Sequence, residues 1–293
     1  MAVAAVVWWA LRQEPPQFPD APGEWGALAG AVALYAIATL VRGERWRALL
    51  RAERGRPSRA DAHGLNVVGY AANNVLPARA GDAVRVFLMA PRAGTSKKAV
   101  LGTLLAERLL DIAVILTLFV VVGYGLLGEA GAGDARWILL ATMALAGSAV
   151  AAVAMIRRHE RLHRLLAPVL SSTLALRGGH GLALLATTLL IWGLEAAVWM
   201  SVGAAAGFGM DPIEGCYIVA LASVFALIPS GPGYAGTQDA AAVTGILALG
   251  GTHSQAVTYL ILVRFVLAVP ITIAGLGLLM ARYGGLRRLR VAR

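Results

Sequence analysis

Charge is scarce in this chain: acidic and basic side chains make up 14% of its 293 residues, and there is a single cysteine, Cys216. One thiol excludes an internal disulfide and any zinc cluster built from cysteines. So little charge, with 58% hydrophobic residues and a mean hydropathy of +0.70, excludes an ordinary soluble domain. The sequence also lacks a Walker A phosphate loop, a G-x-S-x-G nucleophile elbow and a soluble catalytic segment. ATP hydrolysis and serine-hydrolase chemistry are therefore not expected. The net charge of +10 does not point to nucleic acid, because the arginines cluster at the ends of apolar stretches rather than along a soluble face.

What is present is a series of apolar stretches, roughly 25–41, 99–127, 137–156, 181–206 and 255–281, with a short one at 1–11. At 1.5 Å per residue most of them are long enough to cross a bilayer. The positive-inside rule orients them. Seven arginines in 42–61, Arg92, Lys97 and Lys98 in 90–98, and five arginines each in 157–177 and 282–293 place those connections on the cytoplasmic side. The stretches 12–24, 128–136 and 207–214 carry Glu14, Asp20, Glu24, Glu129, Asp134, Asp211 and Glu214 against only Arg12 and Arg136, and face outward. Segments 44–54 and 161–176 read as amphipathic interfacial helices.

Two stretches look like copies of one another. The first runs from Asn73 and Asn74 through Pro77, Arg79, Gly81 and Asp82 to Arg85. The second runs from Pro229 through Gly231, Pro232, Gly233 and Gly236 to Gln238 and Asp239. Each is followed by an apolar helix bearing an arginine: Asp82 precedes Arg108 by 26 residues and Asp239 precedes Arg264 by 25. Given the orientation above, 62–89 must leave and return to the cytoplasmic side, and 215–250 must do the same from the outer side. Both read as re-entrant hairpins, related by inverted topology as in many secondary transporters. Broken backbone at membrane depth must line a cavity or be buried in protein.

The ionisable groups inside these segments are the candidate site. Glu107, Arg108 and Asp111 share one face of helix 99–127 at i, i+3 and i+4 spacing and are expected to pair with one another; the alternative is a buried network that only locks helices together. Arg108 and Arg264 reach the midplane from opposite sides and suit an anion, since guanidinium matches phosphate bidentately. Arg79 sits at the first hairpin tip, against a reading in which it snorkels to the interface. Asp82, Arg85 and Asp239 fall at the starts of the returning half-helices, where a carboxylate suits the exposed amides. Asn73 and Asn74 can satisfy the broken backbone. The amides of the second loop, with Gly233 and Gly236, are placed to cradle an anionic group. Glu195 reads as a lone carboxylate between Trp192 and Trp199, either a proton carrier or a hydrogen-bonded structural acid.

Two motif matches lead elsewhere and are set aside. Gly231, Gly233 and Gly236 fit G-x-G-x-x-G, but no strand precedes them. His159, Glu160 and His163 spell H-E-x-x-H, but they lie among Arg157, Arg158, Arg161 and Arg164 with no third ligand following, a poor setting for a dication.

The run N-N-V-L-P-A-R-A-G-D-A-V-R, then S-K-K-A with A-E-R-L-L-D, and later I-P-S-G-P-G-Y-A-G-T-Q-D with L-V-R-F, resembles the membrane domain of lysylphosphatidylglycerol synthases and the related stand-alone flippase-like proteins, over residues 40–281. The resemblance implies movement of an aminoacylated phosphatidylglycerol, or of another lipid, from the inner to the outer leaflet. Relatives of this kind also occur beside glycosyltransferases. The family's soluble synthase domain has no counterpart in these residues, so translocation rather than aminoacyl transfer is implied. Where family members commonly carry Glu after the second glycine-rich loop, this chain has the shorter Asp239.

The expectation is an all-α polytopic membrane protein of about six transmembrane helices plus two re-entrant helical hairpins arranged as inverted repeats, 1–128 and 129–293, in one domain of a bacterial or archaeal cytoplasmic membrane. Its expected work is moving an anionic phospholipid or glycolipid between leaflets without ATP, with no cofactor and no metal. A homo-oligomer and a lipid-synthesising partner enzyme fit this reading. The rivals are a membrane-embedded lipid-modifying enzyme and a transporter of a small soluble ion.

Overall fold

The computed structural model describes residues 15–76, 80–127, 158, 178–226 and 236–285, and everything structural below concerns those residues. They form eight helices: α1 (Pro22–Ala52), α2 (Arg59–Val75), α3 (Ala80–Ala93), α4 (Lys97–Leu127), α5 (Gly178–Ala205), α6 (Pro212–Phe225), α7 (Thr237–Ala248) and α8 (His253–Arg282). The expected segments 1–11, 137–156 and 161–176, the H-E-x-x-H stretch, and the loop residues Arg79 and Gly233 lie outside the described residues.

Local chemistry sets the boundaries. Ser58 caps α2 by accepting from the Asp61 amide at 3.0 Å. Asp211 caps α6 by accepting from the amides of Ile213 and Glu214, both at 2.8 Å. Thr252 caps α8, with Gln255 reaching back in a capping box, so the first turns carry their otherwise orphaned donors. α2 stops where Pro77 begins to act: Leu76, the residue before it, is extended at φ −98° and ψ 145°, because the proline ring disfavours helical backbone at that position.

α1, α5 and α8 are long and apolar enough to cross a membrane, at ~42–46 Å by helical rise. α4 has 31 residues and similar length, but places Glu107, Arg108 and Asp111 within two turns. Large apolar side chains such as Leu182, Leu190, Ile273 and Met280 stand more than half exposed on α5 and α8, a face that suits lipid and would be an aggregation liability in water. One expectation is corrected here. The 44–54 stretch is not a separate interfacial helix, because α1 runs unbroken from Pro22 to Ala52 and carries Arg42 and Arg45 inward. Each of these arginines has a carboxylate partner on another helix, which is why two of the seven arginines counted as a cytoplasmic loop belong to the interior.

The packing has a regular pattern. α1 lies along α5. α2 packs on α3 and on α8, while α6 packs on α7 and on α4. Exchanging α1–α4 for α5–α8 maps every substantial helix contact onto another one. Among the described residues the interior holds two large apolar clusters, one around Trp199, Ile218, Ile246 and Tyr259, the other around Trp46, Leu65, Met89 and Tyr283, and a small third one of Leu49, Ala106, Leu110 and Leu184.

Small residues allow the close crossings, as is usual where lipid supplies no hydrophobic drive between helices. A Cβ on Gly275 of α8 would collide with Ala71 and lie 2.8 Å from the Val67 carbonyl oxygen of α2. A Cβ on Gly81 of α3 would collide with the Gly69 carbonyl oxygen and lie 2.6 Å from Asn73 Oδ1. Gly81→Ala is accordingly expected to lower the melting temperature of the detergent-solubilised protein, at a cost of ~1–3 kcal/mol. Gly193→Ala, on α5 with nothing within 4 Å, should leave it unchanged or raise it, by up to ~1 kcal/mol.

Candidate functional site

The first turns of α3 and α7 supply matching acids. Asp82 is the third residue of α3 and Asp239 the third of α7. Asp239 accepts from the Gly236 amide at 2.8 Å, and Gly236 takes φ 103°, a left-handed conformation that favours glycine. Across the first break, Asn73 Oδ1 accepts from the Gly81 amide at 2.8 Å, while Asn74 donates to Thr272 of α8 at 3.0 Å. Asn73 thus satisfies an amide freed by the break, and Asn74 ties the unit to the opposite half.

Each acid meets an arginine on the next long helix. Arg108 reaches Asp82 at 3.4 Å, and Arg264 pairs with Asp239. Both arginines stand eleven residues past the first residue of their helix, Lys97 for α4 and His253 for α8, or ~16 Å along it. The two stretches that look alike in sequence therefore build the same contact twice.

Between these pairs lies a cavity of about 180 Å³. α4 faces it with Arg108, Asp111 and Ile112, and α8 with Arg264, Leu267 and Ala268, the same i, i+3, i+4 register in both. Asn73 and Asn74 of α2, Ser223 of α6 and Gln238 of α7 also reach it. Its far wall comes from α1 and α5: Tyr35 and Arg42 opposite Trp192, Glu195 and Trp199. Among the described lining residues, three arginines (Arg42, Arg108, Arg264) thus stand against three acids (Asp111, Glu195, Asp239).

Beside the cavity the first half carries a deeper network. Arg45, 3% exposed, forks onto Asp111 with contacts of 2.7 and 3.0 Å and donates to Thr188 of α5 at 2.9 Å. Arg85 pairs with Glu107 at 2.9 Å and lies 4.0 Å over the Trp46 ring, a cation–π contact that adds to the pair. Arg45 also approaches Glu107, at 3.9 Å.

Set against the sequence expectations, Arg108, Asp111, Glu195, Asp239 and Arg264 come together at the cavity. Asp82 stands behind Arg108. Arg85 and Glu107 are not among the lining residues and hold α3, α4 and α1 together. The hydrogen-bonded partners of Glu107 and Asp111 are Arg85 of α3 and Arg45 of α1, which packing brings within bonding distance, and Arg108 of their own helix adds its charge beside Asp111. Glu195 is not a lone carboxylate, because Arg42 lies 2.6 Å away. Arg42, Arg45 and Tyr70 are the residues that sequence reasoning missed. The signal for them was available: Arg42 and Arg45 extend the apolar run 25–41 at i, i+3 spacing, so a helix continuing past 41 would have turned both to one face. No group of three or more metal-ligating side chains occurs among the described residues.

Among the described residues, a helical membrane protein with an arginine-lined cavity between its two halves is the class that these features define. The chain belongs to the family described as the lysylphosphatidylglycerol synthase TM region, whose model matches residues 1–275. It is also 29% identical over 141 residues to Glycosyltransferase AglD of Haloferax volcanii, a match spanning 47% of this chain and 23% of that protein. No solved structure matches the chain.

Breaking the deep network should be costly. Arg45→Ala strands Asp111 at depth and is expected to destabilise the fold by ~3–5 kcal/mol, whereas Arg45→Met with Asp111→Leu should recover most of that loss. Thermal denaturation in detergent, followed by loss of the monodisperse peak, measures both.

Proposed function

We propose that this chain moves a lipid head group between the two leaflets of the cytoplasmic membrane without hydrolysing ATP. The observation that carries the reading is the repeated Asp–Arg pair, built once by α3 and α4 and once by α7 and α8, on the two sides of one cavity. A guanidinium is a planar fork of donors whose geometry matches a phosphate bidentately, which suits the repeated arginines to an anionic head group. The cavity is smaller than the ~300–1,000 Å³ of a drug-sized site; it suits a head group while the acyl chains stay in lipid.

The exchange symmetry of the helix contacts supports a repeat of inverted topology, with α2–α3 re-entering from the cytoplasmic side and α6–α7 from the outer side. Family membership supports a lipid as substrate, and the match to a glycosyltransferase supports including lipids that carry sugars. An embedded enzyme would act on the same lipid with a cavity carboxylate as base. A soluble-ion transporter would need a cavity closed to lipid from the side.

Purified protein in vesicles separates these readings. The expected result is chemically unchanged lipid appearing in the opposite leaflet, with Arg108→Ala and Arg264→Ala each slowing exchange by about 10- to 100-fold, the worth of one charge-assisted contact. Altered lipid would mean an enzyme. Wild-type exchange in both variants would remove the arginines from the mechanism.

Cys216, the single thiol, is the fifth residue of α6 and half-buried. With α6 entering from outside, a membrane-impermeant maleimide should label it from the outer side of sealed vesicles. Labelling only from the cytoplasmic side would overturn the orientation.

A further inference from the structure

Arg108 and Asp111 stand three residues apart on α4 and both face the cavity, a spacing at which a guanidinium and a carboxylate on one helix pair with each other. Such a pair would turn Arg108 toward its own helix and away from a ligand. The fold gives Asp111 another partner. Arg45 of α1 donates through Nη1 to Asp111 Oδ1 at 2.7 Å and through Nη2 to Oδ2 at 3.0 Å, so one planar fork engages both carboxylate oxygens. Thr188 of α5, wholly buried, steadies that fork by accepting from the same Nη1 at 2.9 Å. Arg45 itself is 3% exposed and is not among the described residues that line the cavity. It acts on the cavity only through Asp111.

The second half shows what the fork achieves. On α8 the residue three past Arg264 is Leu267, uncharged and in the same cavity register, and the carboxylate that meets Arg264 is Asp239 of α7. On α4 that part falls to Asp82 of α3, which meets Arg108 at 3.4 Å. The first half carries one acid more at this height, and the two arginines stay equivalent only if that acid is taken up elsewhere. Two cations besides Arg45 bear on Asp111: Arg42 and Arg108. Arg42 has Glu195 at 2.6 Å, a shorter pair than Arg108 makes with Asp82, so without Arg45 the carboxylate draws on Arg108. Glu107, the other acid near Arg45, at 3.9 Å, is held by Arg85 at 2.9 Å.

We propose that Arg45 is a positioning residue for transport: by occupying Asp111 it keeps Arg108 turned to the head group. This rests on the translocation reading above and adds to it a residue that lies outside the cavity. A plain brace would hold α1 to α4 without regard to Arg108, and the two roles differ in one measurable way. If Arg45 works through Arg108, removing both costs no more than removing Arg108; if it only braces, the two losses multiply.

The test is leaflet exchange by the full chain in vesicles carrying a trace of phosphatidylglycerol or of a hexosyl-phospho-polyprenol, whichever the wild type moves faster. Arg45→Met is expected to slow exchange by about 5- to 50-fold, no further than Arg108→Ala does. Arg45→Met combined with Arg108→Ala should then lie within about threefold of Arg108→Ala alone. Adding Asp111→Leu to Arg45→Met removes the competing acid; it should raise exchange at least about threefold and make it sensitive to Arg108→Ala again. A mirror variant needs no change at Arg45 and carries the test should Arg45→Met fail to purify folded. Leu267→Asp sets an acid three residues past Arg264 with no fork to occupy it, and should exchange about tenfold more slowly than the uncharged Leu267→Asn. Multiplying losses from Arg45→Met and Arg108→Ala, wild-type exchange in Arg45→Met, or equal exchange in Leu267→Asp and Leu267→Asn would each overturn the positioning role while leaving translocation standing. No exchange of either probe by the wild type would overturn both.

Discussion

Ionised side chains at membrane depth must find opposite charge on a neighbouring helix, and the arrangement of this protein follows from that requirement. Leaving a charge unpaired in the bilayer interior costs at least ~2.5 kcal/mol on the most lenient scale. The chain meets the requirement by pairing across helices: α1 to α5 through Arg42 and Glu195, α1 to α4 through Arg45 and Asp111, α3 to α4 through Arg85 and Glu107, α7 to α8 through Asp239 and Arg264. Each pair specifies which helices are neighbours and in what register. Apolar packing cannot do this alone, because lipid competes for apolar surface as well as a helix does.

The breaks between helices depend on the same constraint. Ending α2 at Val75 frees amides and carbonyls, which on the proposed re-entrant reading lipid cannot satisfy. Asn73 answers one of them at Gly81, and Asp239 answers its counterpart at Gly236. Close approach is then needed to seal the break, and Gly69 against Gly81 supplies it. Each short helix thereby presents a carboxylate from its first turn at a fixed height, where the arginine of the following helix can reach it.

Much of this was legible in the sequence, and for identifiable reasons. Pro77 marked the end of α2 and Gly236 the start of α7, because ring sterics and positive φ act within one or two residues. The nearly equal spacing of Asp82 to Arg108 and Asp239 to Arg264, 26 and 25 residues, marked the repeated pair, since units of similar length bring equivalent positions together. The partner choice of the other acids was not legible. Glu107 and Asp111 offer Arg108 an i+1 or i+3 neighbour on their own helix, and only the packing of α1 and α3 brings Arg45 and Arg85 closer. Arg42 and Arg45 were hidden by a rule that works on average: arginines after an apolar run usually mark a cytoplasmic loop. Here α1 continues through them, burying Arg45 and turning Arg42 to the cavity, so a count of positive charge assigned to solvent two residues that belong to the interior.

The two halves share a plan but differ in how firmly it is fixed. On α4 the position after Arg108 in the cavity register is Asp111, held by Arg45; on α8 the equivalent position is Leu267, which carries no charge to hold. Arg85 and Glu107 add a second buried bond between α3 and α4, whereas the residue before Arg264 is the apolar Val263. The first unit is therefore cross-braced to α1 by ion pairs, and the second leans on apolar contacts, on the Asp239–Arg264 pair and, at the end of α8, on Arg282 against Asp61 of α2. Rearranging apolar contacts leaves no buried charge stranded, while separating α3 from α4 or α1 from α4 would strand several.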